Sequence, residues 1–404
     1  MPIKTWPDRL HAAFWQWGWL LPTVLPLAQI GGRALYTVLV GLYALWGLPC
    51  LWQRRQRLDR MTTGLYLALL GAMLISIPGS IDPTGGLRVW GQFAAQTLTL
   101  LLMQAAVREF PANLDRLLNA LALLGAITLA GLYLLLPYDW LEISGQPFDP
   151  SSQLREDNLP FLLPFLLYWL WRQGDFRWRL AAMTGLTVAV IAYVVISEGR
   201  AALLGLMVGL MVFYKRVLDW RLRWVAPLAA LALIVSITAH IEPFQKSQLT
   251  SDHPLDAFTT GRSILWRQVL AQPPDRPWLG VGIGNEAYAT NVLSFTIGGQ
   301  PVQVKHLHNF LLDAWYETGV IGLSLWLTLI GAVLIRLARS WRQLSVGDRQ
   351  RAGVLLAAAL ALMTAGLLSF SYTSRQMACY LFLCLGGLGG IMPPTTADTG
   401  QDRR

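Results

Sequence analysis

His308-Asn309-Phe310-Leu311-Leu312-Asp313-Ala314-Trp315-Tyr316-Glu317-Thr318-Gly319-Val320-Ile321-Gly322 is the stretch on which the reading of this chain turns. It sets a histidine, two carboxylates and two glycines at the entry to an apolar run that carries no charge as far as Ile335. Titratable groups that close to hydrocarbon are costly to keep, so an ionisable residue there is a functional-site candidate by default. The fold it implies is a helix entering a membrane, with chemistry at the surface where it enters.

The composition agrees. Of 404 residues, 54% are hydrophobic and only 14% charged, against about a quarter charged in soluble proteins. An all-α polytopic membrane protein follows. Cys50, Cys379 and Cys384 lie in apolar runs without metal-ligand spacing, so neither a disulfide scaffold nor a zinc site is expected. The net charge of +9 does not call for a nucleic-acid partner, because the basic residues fall in short clusters between apolar segments, as the positive-inside rule produces. The first apolar stretch follows Lys4 and Arg9, is tryptophan-rich and lacks a small-residue cleavage site; it is expected to be a retained span.

Apolar windows of spanning length fall at 13–31, 34–52, 62–79, 89–107, 117–136, 159–171, 180–197, 201–214, 224–240, 319–335, 352–370 and 377–392, which predicts about twelve transmembrane helices. Arginine clusters at 54–60, 172–179, 215–223 and 336–351 mark cytoplasmic joints; with both termini inside, that face holds 22 of the 32 basic residues. Trp15, Trp17, Trp19, Trp140, Trp169 and Trp171 are expected to anchor span ends. Small faces at Gly205, Gly209, Gly331 and Ala332 are expected to pack helix on helix. The chain divides into N-terminal transmembrane helices over 1–240, an extracytoplasmic loop over 241–307 forming a helical cap, C-terminal transmembrane helices over 308–392 and a polar cytoplasmic tail over 393–404.

Three groups of residues meet on the outer face in this topology. His308 opens the helix that carries Asp313 and Glu317 four residues apart on one side. Arg200 follows Ser197-Glu198-Gly199 at a tight joint. Arg262 and Arg267 lie in the long loop, upstream of the glycine-rich run Gly280-Val281-Gly282-Ile283-Gly284. A histidine near neutrality can take a proton from a hydroxyl. Arginine, permanently charged and bidentate, suits a diphosphate.

The spacing H-[N/S/Q]-x9-G-x-x-G, met by His308, Asn309, Gly319 and Gly322, resembles the signature of the O-antigen ligase family, also called the Wzy C-terminal domain family, of membrane glycosyltransferases. Ser197-Glu198-Gly199-Arg200-Ala201 resembles that family's Ser-Arg-Gly-type turn, though Gly199 stands where the family often has serine. Gly261-Arg262 through Gly280-Val281-Gly282 is similar to its G-R-x3-W…P-x2-G-x-G loop. The resemblance covers the second half of the chain, in family order. It implies a bundle like that of the GT-C glycosyltransferases, in the cytoplasmic (inner) membrane, with its site on the extracytoplasmic face. The implied reaction moves a glycan from an undecaprenyl diphosphate carrier to an acceptor hydroxyl on lipid A core or a growing polysaccharide, in lipopolysaccharide or other polysaccharide biosynthesis. His308 would be catalytic and Arg200 and Arg262 would bind the diphosphate, with no metal and no other cofactor.

Plainer readings stand beside these. His308 could cap a helix end. Arg200 could snorkel and pair with Glu198. Asn309, Asp313, Glu317 and Arg267 are acceptor contacts or structural, Asp313 and Glu317 being solvated in the second case. Arg276 and Lys305 read as rim charges, the glycine run as a tight loop, and His240, His253 and His306 form no persuasive metal centre. Twelve spans with both termini inside also suit a transporter, including a bicarbonate-type one, although transporters set polar residues mid-membrane on interrupted helices. A polymerase acting on repeat units is the nearest enzymatic alternative; the compact loop and short tail favour ligation. A membrane scaffold would not need the ordered motifs.

Overall fold

A computed structural model describes residues 6–25, 33–135, 156–197, 199–219, 259, 261–284, 295–297, 300–302 and 306–393. The chain runs through α1 (Trp6–Gln16), a short α2 (Leu21–Val24), α3 (Arg33–Gln53), α4 (Arg60–Ser76), α5 (Pro83–Thr97), α6 (Thr99–Glu109), α7 (Asn113–Leu135), α8 (Leu159–Trp171), α9 (Phe176–Ile196) and α10 (Arg200–Arg216). After these come α11 (Arg262–Ala271), an antiparallel pair β1 (Phe295–Ile297) and β2 (Gln300–Val302), α12 (Phe310–Ser340), α13 (Val346–Gly366), a π-turn over Gln376–Leu381 and α14 (Phe382–Ile391). Aspartates and one serine start several helices by accepting a backbone N–H: Asp59 from Thr62, Asp82 from Gly85, Asp175 from Trp178 and Ser345 from Asp348.

Five of the described helices are long and apolar enough to cross a membrane: Ala34–Gln53, Arg60–Gly79, Asn113–Leu134, Phe176–Val195 and Phe310–Ser340. The helices Leu159–Trp171 and Met377–Ile391 are apolar but shorter. The twelve expected windows therefore map unevenly. The first is broken by a 3-10 turn at Gly18–Leu20, just before Pro22 in α2. The fourth is shared between α5 and α6, which meet at Leu98, where the hydroxyls of Thr97 and Thr99 bond carbonyls of the preceding turn. The ninth window, the anchor Trp140 and much of the 241–307 loop lie outside the described residues. A hydropathy window measures apolarity alone, so local breaks of this kind escape it.

The bundle has two chemically distinct ends. At one, Arg54 and Arg57 pair with Glu109 at 2.8 and 3.0 Å, Arg336 pairs with Asp59 at 2.6 Å, and Arg351 and Arg172 share Asp115. Arg216 lies over Trp341 at the same end. Four of the expected cytoplasmic joints are thus gathered in space. The opposite end carries the starts of α10 and α12 and the end of α13, because α10 runs antiparallel to α13 with Gly205 against Ala361 and Ala365 and Gly353 against Arg216 and Val217.

Small residues set the closest helix contacts, as expected where lipid supplies no hydrophobic force between helices. Gly205 and Gly209 face Pro160 and the alanines of α13, and Gly386, Gly389 and Gly390 let α14 settle onto Leu100, Met103, Gln104 and Val107 of α6. Gly331, expected to do likewise, has no such neighbour among the described residues: none of their atoms outside its own helix lies within 4 Å of where its Cβ would be. Trp15 and Trp19, expected as interfacial anchors, instead pack in the core around Phe14 and Tyr43, whereas Trp17 and Trp169 are exposed as anchors should be. A belt of exposed apolar side chains, including Leu45, Leu67, Leu123, Leu134 and Val188, gives the bundle a lipid-facing surface.

Candidate functional site

α12 is not one helix. Gly319 holds φ 67° and ψ −169° inside it, which breaks the backbone hydrogen-bond ladder nine residues after Phe310. A non-glycine residue would be strained in that region. The freed backbone groups are taken up by the glycine-rich run. Val281 and Gly282 donate to the carbonyls of Tyr316 and Glu317 at 2.9 and 3.0 Å, and Val320 and Ile321 donate back to Pro277 and Trp278 at 2.9 and 3.3 Å. Gly280, Gly282 and Gly284 all adopt positive φ, so the run is the tight loop its composition predicts. A Cβ on Gly280 would meet the Glu317 backbone, and one on Gly319 would meet that of Trp278. On its far side the loop rests on the N-terminal half of the chain, where the Ser80 hydroxyl donates to Ile283 at 3.2 Å and the Arg276 guanidinium lies over Gly79.

The carboxylates near the break are not solvated. Asp313 is 0% and Glu317 3% exposed. Asp313 accepts the Leu307 N–H at 2.9 Å. Glu317 accepts the Tyr372 hydroxyl at 2.8 Å and a backbone N–H from Gly284. Their role in the fold is to tie the start of α12 to the loop before it and to the joint after α13. Asn309 caps α12, its side chain accepting from Leu311 and Leu312.

His308 stands immediately before that cap with φ 53°. The left-handed region costs an ordinary residue about 1–2 kcal/mol, and such conformations persist where the surroundings over-determine them, often at functional sites. Three contacts hold it. Asp313 fixes Leu307 on one side, Asn309 caps on the other, and the His308 N–H donates to Nδ1 of His306 at 3.3 Å, with ring centroids 4.0 Å apart.

Arg262 begins α11, after Gly261 at φ 81°. The helix packs Leu265, Trp266 and Val269 against Leu307, Leu312 and Tyr316, and the Trp266 indole donates to the Leu307 carbonyl at 2.8 Å. Arg262 itself donates to the Leu368 carbonyl beyond α13. Next to Leu368, Ser369 donates to Asp157 at 2.9 Å, in the turn that precedes α8. Arg200 opens α10 at this same end. His308, Asn309, Asp313, Glu317, Arg262 and Arg200 are therefore gathered at the end of the bundle opposite the basic joints. Arg267 is exposed on α11 and Arg276 sits over Gly79, while Glu198, His240, His253 and Lys305 lie outside the described residues.

Sequence reasoning missed Tyr372, Ser369, Asp157 and the indole of Trp266. A signal existed for two of them: Ser369-Phe370-Ser371-Tyr372-Thr373-Ser374 is a hydroxyl-rich joint between apolar helices, and such a joint has few other ways to satisfy its neighbours' polar groups.

Among curated proteins, none matches this chain. The family model described as O-antigen ligase matches residues 185–327, from α9 through α10 and α11 to just past the break in α12. Every motif residue named above lies in that interval, and over residues 185–327 the chain is similar to the O-antigen ligase family.

Proposed function

We propose that this protein transfers a glycan from an undecaprenyl-type diphosphate carrier to an acceptor hydroxyl at the extracytoplasmic surface of the cytoplasmic membrane. The carrying observation is the Trp266–Leu307 hydrogen bond, which couples the helix that begins at Arg262 to the residue before His308. A general base and a phosphate ligand must keep a fixed relation through the reaction, because misplacement of about 1 Å can cost a hundredfold in rate.

In this reading the acceptor oxygen attacks the anomeric carbon of the glycan. The bond from that carbon to the carrier diphosphate breaks, and the His308 imidazole receives the hydroxyl proton. Arg200 and Arg262 stabilise the charge that gathers on the departing diphosphate, a task for which preorganised cations are suited. The donor is already activated, so the step needs no nucleotide. Asn309, Asp313 and Glu317 act here by positioning His308 and the break. An acceptor of the lipid A core type is preferred to a repeat unit.

Replacing His308 with Ala should lower transfer by about a hundredfold to ten-thousandfold, the usual contribution of a general base. The assay is purified protein with lipid-linked oligosaccharide and each acceptor class, with protein level and fold monitored. Undiminished transfer by a folded H308A protein ends the mechanism.

A second reading, solute transport, draws on the same interrupted helix, since broken helices with polar neighbours line transporter sites. Against it, the break is plugged by the glycine-rich loop and both nearby carboxylates are engaged within the protein. Uptake into vesicles without any glycan transfer would reverse the order of the two.

A further inference from the structure

The peptide unit that joins Leu307 to His308 is clamped at both edges. Its carbonyl accepts the Trp266 indole N–H at 2.8 Å, and its N–H donates to Nδ1 of His306 at 3.3 Å. One grip comes from α11, the other from the side chain two residues back. The peptide before it is fixed as well, because the Leu307 N–H donates to Asp313 at 2.9 Å and Leu307 is fully buried.

His308 needs both grips. Its φ of 53° costs an ordinary residue about 1–2 kcal/mol, and glycine, which adopts that conformation readily, has no ring with which to do chemistry. The orientation of the Leu307–His308 plane sets this angle, and the angle decides where the imidazole points. Held by Trp266 alone, the plane could rock about a single hydrogen bond; the His306 acceptor stops it. The arrangement copies the Asx turn, in which Asn or Asp accepts the N–H two residues on. Because Nδ1 is the acceptor, the His306 ring is neutral there and carries its proton on Nε2. It lies beside the His308 ring, centroids 4.0 Å apart and planes inclined at 55°.

We infer that His306 is a positioning residue for the transfer: through Nδ1 it fixes the left-handed backbone of His308 and so aims the imidazole that receives the acceptor's proton. The inference rests on the role proposed for His308 and divides the labour of the pair, His308 meeting the substrate and His306 acting through it. No proton of the reaction passes through His306. What position 306 requires is an acceptor bonded to Cγ, which asparagine offers and leucine does not.

The test uses purified full-length protein with undecaprenyl diphosphate-linked oligosaccharide as donor and lipid A core as acceptor. His306→Leu should lower kcat about tenfold to a hundredfold, the range that a displacement of up to about 1 Å can produce, with the donor KM unchanged. His306→Asn should restore most of the wild-type rate. Adding His306→Leu to His308→Ala should cost nothing further, since residues that act as a unit are not additive. Melting profiles accompany each variant, and His306→Gln, whose acceptor sits one bond further out, repeats the test with a polar side chain should leucine loosen the fold. A wild-type rate in His306→Leu overturns the inference and leaves His308 as the base. So does a loss in His306→Asn as deep as that in His308→Ala, which would give the His306 ring a direct part. An active His308→Ala protein removes the reaction mechanism instead. Nitrogen NMR of histidine-labelled protein gives a readout independent of transfer, with the His306 signals identified from the His306→Asn variant. At mildly alkaline pH the ring should carry its proton on Nε2; a proton on Nδ1 overturns the inference whatever the transfer assay gives.

Discussion

Glu317 is where a single side chain does most for the site. Its carboxylate is buried and accepts from Tyr372, a residue from a different part of the chain, and its backbone carbonyl receives Gly282. Removing one partner of a buried hydrogen bond costs about 1–3 kcal/mol because the other stays desolvated. Tyr372→Phe should therefore lower the melting temperature of the purified protein, and Tyr372→Phe combined with Glu317→Gln should be less harmful than the two single effects added. Coupling of about 0.5–3 kcal/mol is expected for groups in contact; strictly additive effects would contradict the bond. Asp59 makes a pH-dependent case at the other end. Burial raises its pKa, but the Thr62 N–H and hydroxyl and the Arg336 and Arg108 guanidiniums outweigh that and leave it below the usual carboxylate value. A depressed carboxylate stabilises the fold above its unfolded pKa, and that contribution is lost as pH falls below about 4. Acid unfolding of the wild type should be steeper there than that of Asp59→Asn, measured by tryptophan fluorescence in detergent; identical profiles would remove Asp59 from the account.

At the scale of elements, the break in α12 and the loop that fills it form one unit. Gly319→Ala should be costly for two separate reasons, a positive-φ, extended-ψ backbone that is essentially reserved for glycine, at about 1–3 kcal/mol, and a Cβ driven into the Trp278 backbone, which cannot rotate away. Gly331→Ala, later in the same helix, meets no described residue of another element within 4 Å and should be neutral or stabilising by up to about 1 kcal/mol through helix propensity. Thermal melts of the two variants, with glycan transfer alongside, compare these directly; equal effects would mean that the break is not held by the loop. The same unit marks how far sequence carries. His308, Asn309, Gly319 and Gly322 were legible as a motif because their spacing is local, and Gly280-Val281-Gly282 as a tight loop because glycine has few other uses in such density. The pairing of that loop with the break was not legible, since it joins residues about 40 apart through backbone groups that every sequence shares. Burial of Asp313 and Glu317 escaped for a similar reason: helical spacing puts them on one face but does not say what covers it. Gly205 and Gly331 look alike in sequence, and only the neighbouring alanines of α13 distinguish them.

For the molecule as a whole, the separation of its ends carries the functional reading. Arginines paired with Asp59, Glu109 and Asp115 gather at one end, and His308, Arg200 and Arg262 at the other. Positively charged joints stay on the cytoplasmic side during insertion, so the motif end should face outward, the side that the proposed transfer requires. Cys50, Cys379 and Cys384 are all buried, which leaves a clean background for thiol labelling. Arg267 on α11 and Arg339 near the end of α12 are both exposed. In spheroplasts, Arg267→Cys should react with a membrane-impermeant maleimide at once, and Arg339→Cys only after the membrane is opened. The reverse pattern would put His308 in the cytosol, where the donor proposed for it is not displayed, and the transfer reaction would have to be abandoned even though the match to the family model over residues 185–327 remains.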